Sequence, residues 1–304
     1  MFDLVTVGHL AIDRIFSPKI VAPRPTLGGP PTYVSLSARR LGAEVSVVSK
    51  VGGDFPDEYV TWLGANEVDV SGLKRVEEAP TTRFILRYED DGGRKLQVAS
   101  RAPSICPEDI PPNLKAKAGH VAPIVNEVLP ETVGKLRKMV GVLSLDPQGF
   151  VRQIDKEGNV ILRRWANPQV LQQIDVYKSS LAEIRMVTGL KNPRSAMRKV
   201  ANYGIPIVMV TKGVEGSTLL YEGKFYDVPA CKPRVILDPT GAGDAFIGAF
   251  LAEYVQEKNL LWCACVGSAA SSFLLEGVGP AVFGTKEEVY ARALGIQGFV
   301  RENS

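Results

Sequence analysis

Ile236-Leu237-Asp238-Pro239-Thr240-Gly241-Ala242-Gly243-Asp244-Ala245-Phe246 is the most informative stretch of the chain. A short apolar run, read as a strand, meets a turn of small residues. The turn opens a helix in which Ala245, Phe246, Ile247, Ala249, Phe250, Leu251 and Ala252 leave hardly any polar face. A helix apolar all round belongs in a core, so its first turn is held rigidly. With little side chain at Gly241, Ala242 and Gly243, their amides can converge on one point. That point also lies at the positive end of the helix, worth about 0.3–1 kcal/mol to a nearby anion and up to ~2 when partly buried. A phosphoryl group in transit, with charge on its equatorial oxygens, suits such a hole. Asp244 faces the same point, where a carboxylate can accept the proton of an attacking hydroxyl. Capping is the competing account, since Gly-Ala-Gly-Asp before a helix is also good N-terminal capping chemistry.

Working outward, short β-branched runs alternate with helical spacing. Leu4 to Val7, Val45 to Val51, Val142 to Leu145 and Ile205 to Thr211 read as buried strands, because they are nearly continuous rather than alternating. Thr32 to Leu41, Leu129 to Met139 and Ser195 to Tyr203 carry helical spacing between them. The alternation predicts βαβ units, a mostly parallel sheet and an α/β fold. One region breaks the rhythm. Thr82 to Glu89 and Arg94 to Ser100 flank Asp90-Asp91-Gly92-Gly93, a hairpin pattern with Phe84, Leu86 and Tyr88 on one side. A two-stranded ribbon needs further strands, and Ile12 to Val21 can supply one, giving a small sheet that projects as a lid.

Bulk properties narrow the function. The 304 residues are 45% hydrophobic and 23% charged, enough for a sizeable core without signs of disorder. The formal charge of +3 is spread out, and basic groupings such as Arg39-Arg40 are too short for a nucleic-acid tract. The four cysteines (Cys106, Cys231, Cys263, Cys265) show no CxxC spacing, and His9 and His120 are too few for a transition-metal cluster. Neither a signal peptide nor an apolar run near ~20 residues is evident, so the expectation is a cytoplasmic protein without membrane contact that acts on a small molecule. No Gly-x-x-x-x-Gly-Lys-Ser/Thr P-loop occurs, and the Gly-x-Gly-x-x-Gly fingerprint would need glycine at Phe246. A P-loop kinase and a nicotinamide dehydrogenase are disfavoured.

Asp238-Pro-Thr-Gly-Ala-Gly-Asp-Ala-Phe246 is very similar to the C-terminal signature of the ribokinase-like (PfkB) carbohydrate kinases. The resemblance covers nearly the whole chain. It implies a single ribokinase-like domain over 1–304, a three-layer α/β/α unit with a β lid from about 12–30 and 82–101. It also implies ATP and Mg²⁺, with Asp244 as catalytic base and the Gly241, Ala242 and Gly243 amides as anion hole. Val7-Gly8-His9-Leu10-Ala11-Ile12-Asp13 resembles the family's first strand end, so Asp13 would bind substrate hydroxyls; a turn-stabilising aspartate is the alternative. Leu27-Gly28-Gly29 looks like the family's glycine pair, where the substrate approaches the backbone. Gly52-Gly53-Asp54-Phe55 fits as well, with Asp54 read as a helix cap.

In the second half, Ser180-Leu-Ala-Glu183 stands where the family usually shows Asn-x-x-Glu. Glu183 would hold Mg²⁺ through water, while Ser180 departs from the usual amide on the nucleotide side. Thr211-Lys212-Gly213-Val214-Glu215-Gly216 resembles the nucleotide-binding loop, making Thr211, Lys212, Gly213 and Gly216 cofactor candidates alongside Gly241 and Gly243. The Ala/Gly/Ser-rich helix Trp262 to Phe273 would give adenine a thin wall, or would simply pack tightly. Leu275 to Ala281 resembles a loop that, with Asp238 and Thr240, forms a monovalent-cation site in this family.

The acceptor is less legible. Many sugar kinases carry Gly-Gly-x-x-x-Asn, whereas this chain has Gly28-Gly29-Pro30-Pro31-Thr32-Tyr33-Val34-Ser35. That run looks similar to the myo-inositol 3-kinases and suggests a cyclic polyol, with a hexose, ketose or nucleoside, or a silent sugar-binding homologue, as alternatives. Thr32, Asn126, Gln148 and Arg152 are further substrate candidates; the last three follow apolar strands at the rim of the sheet. The lid edge offers unpaired strand groups that a second copy could cover in a homodimer.

Overall fold

The computed structural model describes residues 1–20, 22–89 and 93–303. Strands in chain order are β1 (Phe2–Val7), β2 (Ala11–Phe16), β3 (Pro25–Gly28), β4 (Val45–Gly52), β5 (Val68–Val76), β6 (Arg83–Tyr88), β7 (Arg94–Ser100) and β8 (Ala116–Val121). They continue with β9 (Val140–Leu145), β10 (Arg152–Ile154), β11 (Val160–Leu162), β12 (Val176–Ser180), β13 (Ile207–Thr211), β14 (Ser217–Tyr221), β15 (Lys224–Val228) and β16 (Arg301–Asn303). The helices are α1 (Pro30–Arg40), α2 (Asp57–Ala65), α3 (Pro130–Arg137), α4 (Pro168–Leu171), α5 (Leu181–Thr188), α6 (Pro193–Ala201), α7 (Ala242–Tyr254), α8 (Leu260–Leu274) and α9 (Lys286–Gln297).

A ten-stranded sheet in the order β16-β15-β14-β13-β12-β9-β8-β1-β4-β5 forms the centre. From β5 through β13 its pairings are parallel, and β14, β15 and β16 extend it antiparallel. Alternation along β1 feeds two cores: Leu4 joins the one under α1, α7, α8 and α9, while Val5 and Val7 join the one under α3 to α6. The expected mostly parallel α/β arrangement is present. The predicted hairpin is also present as β6 against β7, although residues 90–92 of its turn, and Val21 of the third segment, lie outside the described residues. β2 pairs with β6 in parallel and β3 lines the far side of β2, completing a four-stranded sheet. Phe84 and Leu86 point into its small core with Ala11, Ile15, Ile124 and Val125.

Three readings are corrected. The run before the glycine turn is not a strand. Leu237 donates to Leu275 O at 2.8 Å, and Val235 and Ile236 stay exposed. Pro233 and Pro239 on either side remove ladder donors, so this apolar stretch passes the C-terminal end of α8 as an irregular segment. Asn126 does not directly follow a strand: of the apolar run Val121 to Val125 before it, only Val121 is in β8, which ends there. Asp54 does not cap a helix: α2 starts behind Pro56, and Asp54 accepts from Thr81 N at 2.7 Å and pairs with Arg83 at 2.7 Å, tying down the start of β6. Among the described residues no helix is long and apolar enough to cross a membrane.

Candidate active site

The first turn of α7 is fixed from several directions before any ligand is considered. Gly241 has φ +77, and a Cβ there would lie 2.4 Å from the Tyr33 ring, so only glycine fits on both counts. Ser37 Oγ of α1 donates to Ala245 O at 2.7 Å, and Ser271 Oγ of α8 donates to Ala242 O at 2.7 Å. α1 and α7 also approach so closely that a Cβ at Gly248 would meet Val34 O at 2.3 Å. The apolar helix is therefore wedged in place, with Asp244 at its third residue.

Two cavities meet at this turn. One, with an empty volume of ≈ 400 Å³, lies between the small sheet and the strand ends; Asp13, Tyr33, Gln148, Arg152 and Asp244 supply its polar wall, and Phe84, Leu86, Leu96 and Ile124 its apolar wall. The other, ≈ 1280 Å³ with its open mouth, runs past Thr211, Gly213, Gly216, Ala242 and Gly243 to Ser268, Ser271 and Ser272 of α8. Arg94 borders both. Tyr88 Oη and Thr240 Oγ1 lie 2.9 Å apart, linking the small sheet to the glycine turn.

Burial sets the electrostatics. It pushes the Asp244 carboxyl up to about 7, with Asp146 and Glu183 adding to the rise while Lys178 and Arg152 oppose it. Asp13 is likewise pushed up to about 7, by burial first and then by the carboxylates of Asp238 and Asp244, against the pull of Arg152. Burial lowers the Arg152 guanidinium, whose Nη1 donates to Ile124 O at 3.0 Å. Asp13 Oδ1 and Tyr33 Oη, buried polar atoms of residues lining the smaller cavity, have no hydrogen-bond partner among the described residues. Gln148 Nε2 donates to Asp244 Oδ1 at 3.2 Å.

The remaining sequence candidates fall in different places. Gly28 seats the Asp13 carboxylate, which a Cβ would meet at 2.0 Å, and Gly29 (φ +86) lines the acceptor cavity at the start of α1. Thr32 is turned away: its Oγ1 donates to Gly28 O at 2.8 Å, and its neighbour Tyr33 faces the cavity instead. Asn126 is exposed in a left-handed turn (φ 60), its carbonyl accepting from Arg101, and Ile124 takes the cavity position. Lys212 turns its ammonium to Asp227 at 3.3 Å, away from the cleft that Thr211, Gly213 and Gly216 line. Ser180 and Glu183 form a capping box on α5, with Glu183 Oε2 taking both the amide and the hydroxyl of Ser180 at 2.7 Å. Among the described residues no cluster of three or more His, Cys, Asp or Glu side chains could hold a metal. A divalent ion held through water and by a nucleotide's phosphates needs only one or two carboxylates, which Glu183 fits.

Sequence reasoning missed Lys178 and Asp146. Their ion pair, at 2.5 Å, lies almost wholly buried beside the glycine turn. A lysine inside the apolar strand Val176-Tyr-Lys-Ser-Ser180 and an aspartate directly after β9 were the available signals.

Moving a phosphoryl group between two small molecules requires room for both beside one rigid turn, and two cavities open on the start of α7; the class is a small-molecule kinase. The chain belongs to the pfkB family carbohydrate kinases, whose sequence pattern matches residues 1–285. It is 31% identical to a cytidine kinase of Thermococcus kodakarensis over 277 residues, covering 88% of this chain and 94% of that one. It is 30% identical to an inositol 3-kinase of Oryza sativa over 278 residues, covering 86% of this chain but only 65% of the rice protein. In structure it matches a pyrophosphate-dependent kinase in the ribokinase family, complexed with a pyrophosphate analog and myo-inositol, at a TM-score of 0.80 and 22% identity, over 95% of this chain and 99% of that one. The expected ribokinase-like fold and ATP-dependent kinase class hold.

Proposed function

We propose that this kinase transfers the γ-phosphoryl group of Mg·ATP to a hydroxyl of a compact cyclic polyol, with myo-inositol the first candidate. One observation carries the choice. Among the described residues, Asp13 Oδ1 and Tyr33 Oη are buried without partners in the cavity that Asp244 also lines. A carboxyl group and a hydroxyl left open in this way are completed by a ligand that presents neighbouring hydroxyl groups, which both donate and accept. The ring's apolar faces would lie against Phe84, Leu86, Leu96 and Ile124.

In this reading Asp244 takes the proton of the attacking hydroxyl, and a carboxyl that ionises near 7 is matched to that task at neutral pH. The amides of Gly241, Ala242 and Gly243 receive the phosphoryl group, while ATP lies along Thr211, Gly213, Gly216 and the α8 serines. Mg²⁺, when bound, screens the phosphate charge; Glu183 would hold it through water. The small sheet acts as a lid whose closure over the acceptor keeps out water as a competing nucleophile. Part of its edge is already taken, because Val98 N donates to Gly158 O at 2.8 Å and Gln97 bridges to Asn159, leaving less for a second copy to cover.

A nucleoside is the second reading, favoured by the same apolar wall as a seat for a base and by the cytidine kinase relative. The test is ADP release from Mg·ATP with myo-inositol, cytidine, ribose, fructose and 2-keto-3-deoxygluconate, with Asp244→Asn as control and pyrophosphate as an alternative donor. Asp244-dependent turnover greatest on myo-inositol supports the first reading, and preference for cytidine replaces it with the second. Equal turnover by Asp244→Asn would remove Asp244 as the base.

A further inference from the structure

One buried cation has no task in the chemistry so far. Lys178 stands on β12, its side chain 6% exposed, with Nζ 2.5 Å from Asp146 Oδ2. The ammonium lies against the α-carbon of an anion-hole residue, since a Cβ on Gly243 would be 2.6 Å from Lys178 Nζ. Asp146 uses its other oxygen to accept from Gln148 N at 3.1 Å, and the Gln148 side-chain amide reaches Asp244 at 3.2 Å. A continuous chain of contacts thus runs from Lys178 through Asp146 and Gln148 to Asp244.

Stability is a poor reason for such a pair. Desolvating two charges usually consumes what their attraction returns, and apolar residues of similar volume would do as well. Its position is more informative than its existence. The charged and titratable groups facing Asp244 are Lys178 from β12, Asp146 after β9, Arg152 from β10, Glu183 from α5, Asp13 from β2 and Tyr33 from α1, with Arg94 of β7 on the same cavity wall. Of the cations, Lys178 has the largest hold on Asp244 and Arg152 the next. Its own charge is secure: burial works against it, but Asp146, Asp244 and Glu183 together keep its pKa above the ordinary value.

We propose that Lys178, locked by Asp146, is a positioning residue that sets the proton affinity of Asp244 and, through Asp146, aims Gln148 at it. This rests on the reading of Asp244 as the base. Without the ammonium, Asp244 would face the carboxylates of Asp146, Glu183 and Asp13 with mainly Arg152 in opposition, and would keep its proton well into the alkaline range. With it, the base is free near neutrality. Asp146 has a double part, since it opposes ionisation of Asp244 by its own charge while holding the cation that promotes it.

The experiment is a pH titration of aspartate side-chain ¹³Cγ resonances in the ligand-free protein, with the Asp244 signal assigned by its loss in Asp244→Asn. Lys178→Met is expected to raise the Asp244 midpoint by about one pH unit or more. Asp146→Asn should lower it, and the double variant Lys178→Met/Asp146→Asn should return it to within about half a unit of the parent. An unchanged midpoint in folded Lys178→Met, with only the melting temperature altered, would reduce the pair to a structural role and overturn the proposal. Should Lys178→Met fail to fold with its partner uncompensated, Asp146→Asn and the double variant decide the matter, and a midpoint unmoved in Asp146→Asn overturns it equally. These readouts need no turnover. Failure of the base assignment shows separately, as activity retained by Asp244→Asn.

Discussion

Asp244→Asn should make the protein more stable as the pH rises while silencing it. Unfolded, the carboxyl ionises near 3.8; folded, burial moves that to about 7. Below about pH 4 both states carry the proton and the difference vanishes. Between there and 7 the unfolded chain releases its proton first, so stability falls with rising pH, and above 7 the full penalty remains. Three pH units correspond to about 4 kcal/mol, and because Asp244 opens onto the cavity, solvation brings this to about 2–4 kcal/mol. Asparagine has nearly the same shape and never ionises. For a chain of 304 residues the unfolding entropy is about 0.6 kcal/mol/K; about a quarter of the penalty is already present at pH 4.5, so the melting-temperature gap between variant and parent should widen by about 2–5 °C from there to pH 8. Circular-dichroism melts of both proteins at half-unit pH steps measure it. A gap that stays constant would show that Asp244 ionises normally. A gap that shrinks with pH would mean that Lys178 and Arg152 overcome the burial, and the reasoning would fail in sign.

Three further outcomes follow from the same geometry. In kcat/KM against pH, activity should rise through about 7 as Asp244 loses its proton, and because Asp13 titrates in the same range the limb should be broader than a single ionisation. Tyr33→Phe removes a hydroxyl that has no partner among the described residues, so ligand-free stability should hold within about 1 kcal/mol while the acceptor KM rises about 5- to 10-fold; an unchanged KM would place the acceptor elsewhere. Gly243→Ala puts a methyl 2.6 Å from Lys178 Nζ and should reduce turnover by about 10²-fold, whereas Gly295→Ala, with nothing within 4 Å, should be silent; equal effects would dissociate Gly243 from the chemistry.

Much of this was legible in the chain because the informative residues are local. Buried parallel strands announce themselves as continuous β-branched runs, and the hairpin of β6 and β7 by its alternation. The α7 start is legible because turn, helix and carboxylate are consecutive. The misreadings share a different cause. Ile236 and Leu237 look like a strand in isolation, but among the described residues no strand pairs with them. Thr32 and Tyr33 are adjacent letters, and only the seating of α1 against Gly28 and Gly241 decides which faces the cavity. Lys178 and Asp146 are 32 residues apart on neighbouring strand ends, so their meeting depends on the order of the sheet.

That dependence explains why the glycines of the site do more than free the backbone. A Cβ on Gly28 would strike Asp13, one on Gly241 would strike Tyr33, and one on Gly243 would strike Lys178. Each glycine is the seat of a cavity or site side chain that arrives from another element: β2, α1 and β12. The same missing atoms that let a substrate or a phosphoryl group approach on one side let the recognising or charge-setting group approach on the other. Spacing and chemistry are therefore coupled across the sheet. A larger residue at 241 or 243 would not merely narrow the proposed anion hole; it would displace Tyr33 or Lys178. The glycine signature and the residues seated on it should consequently fail together in double-mutant cycles, with Gly243→Ala adding little further loss of turnover once Lys178→Met is in place.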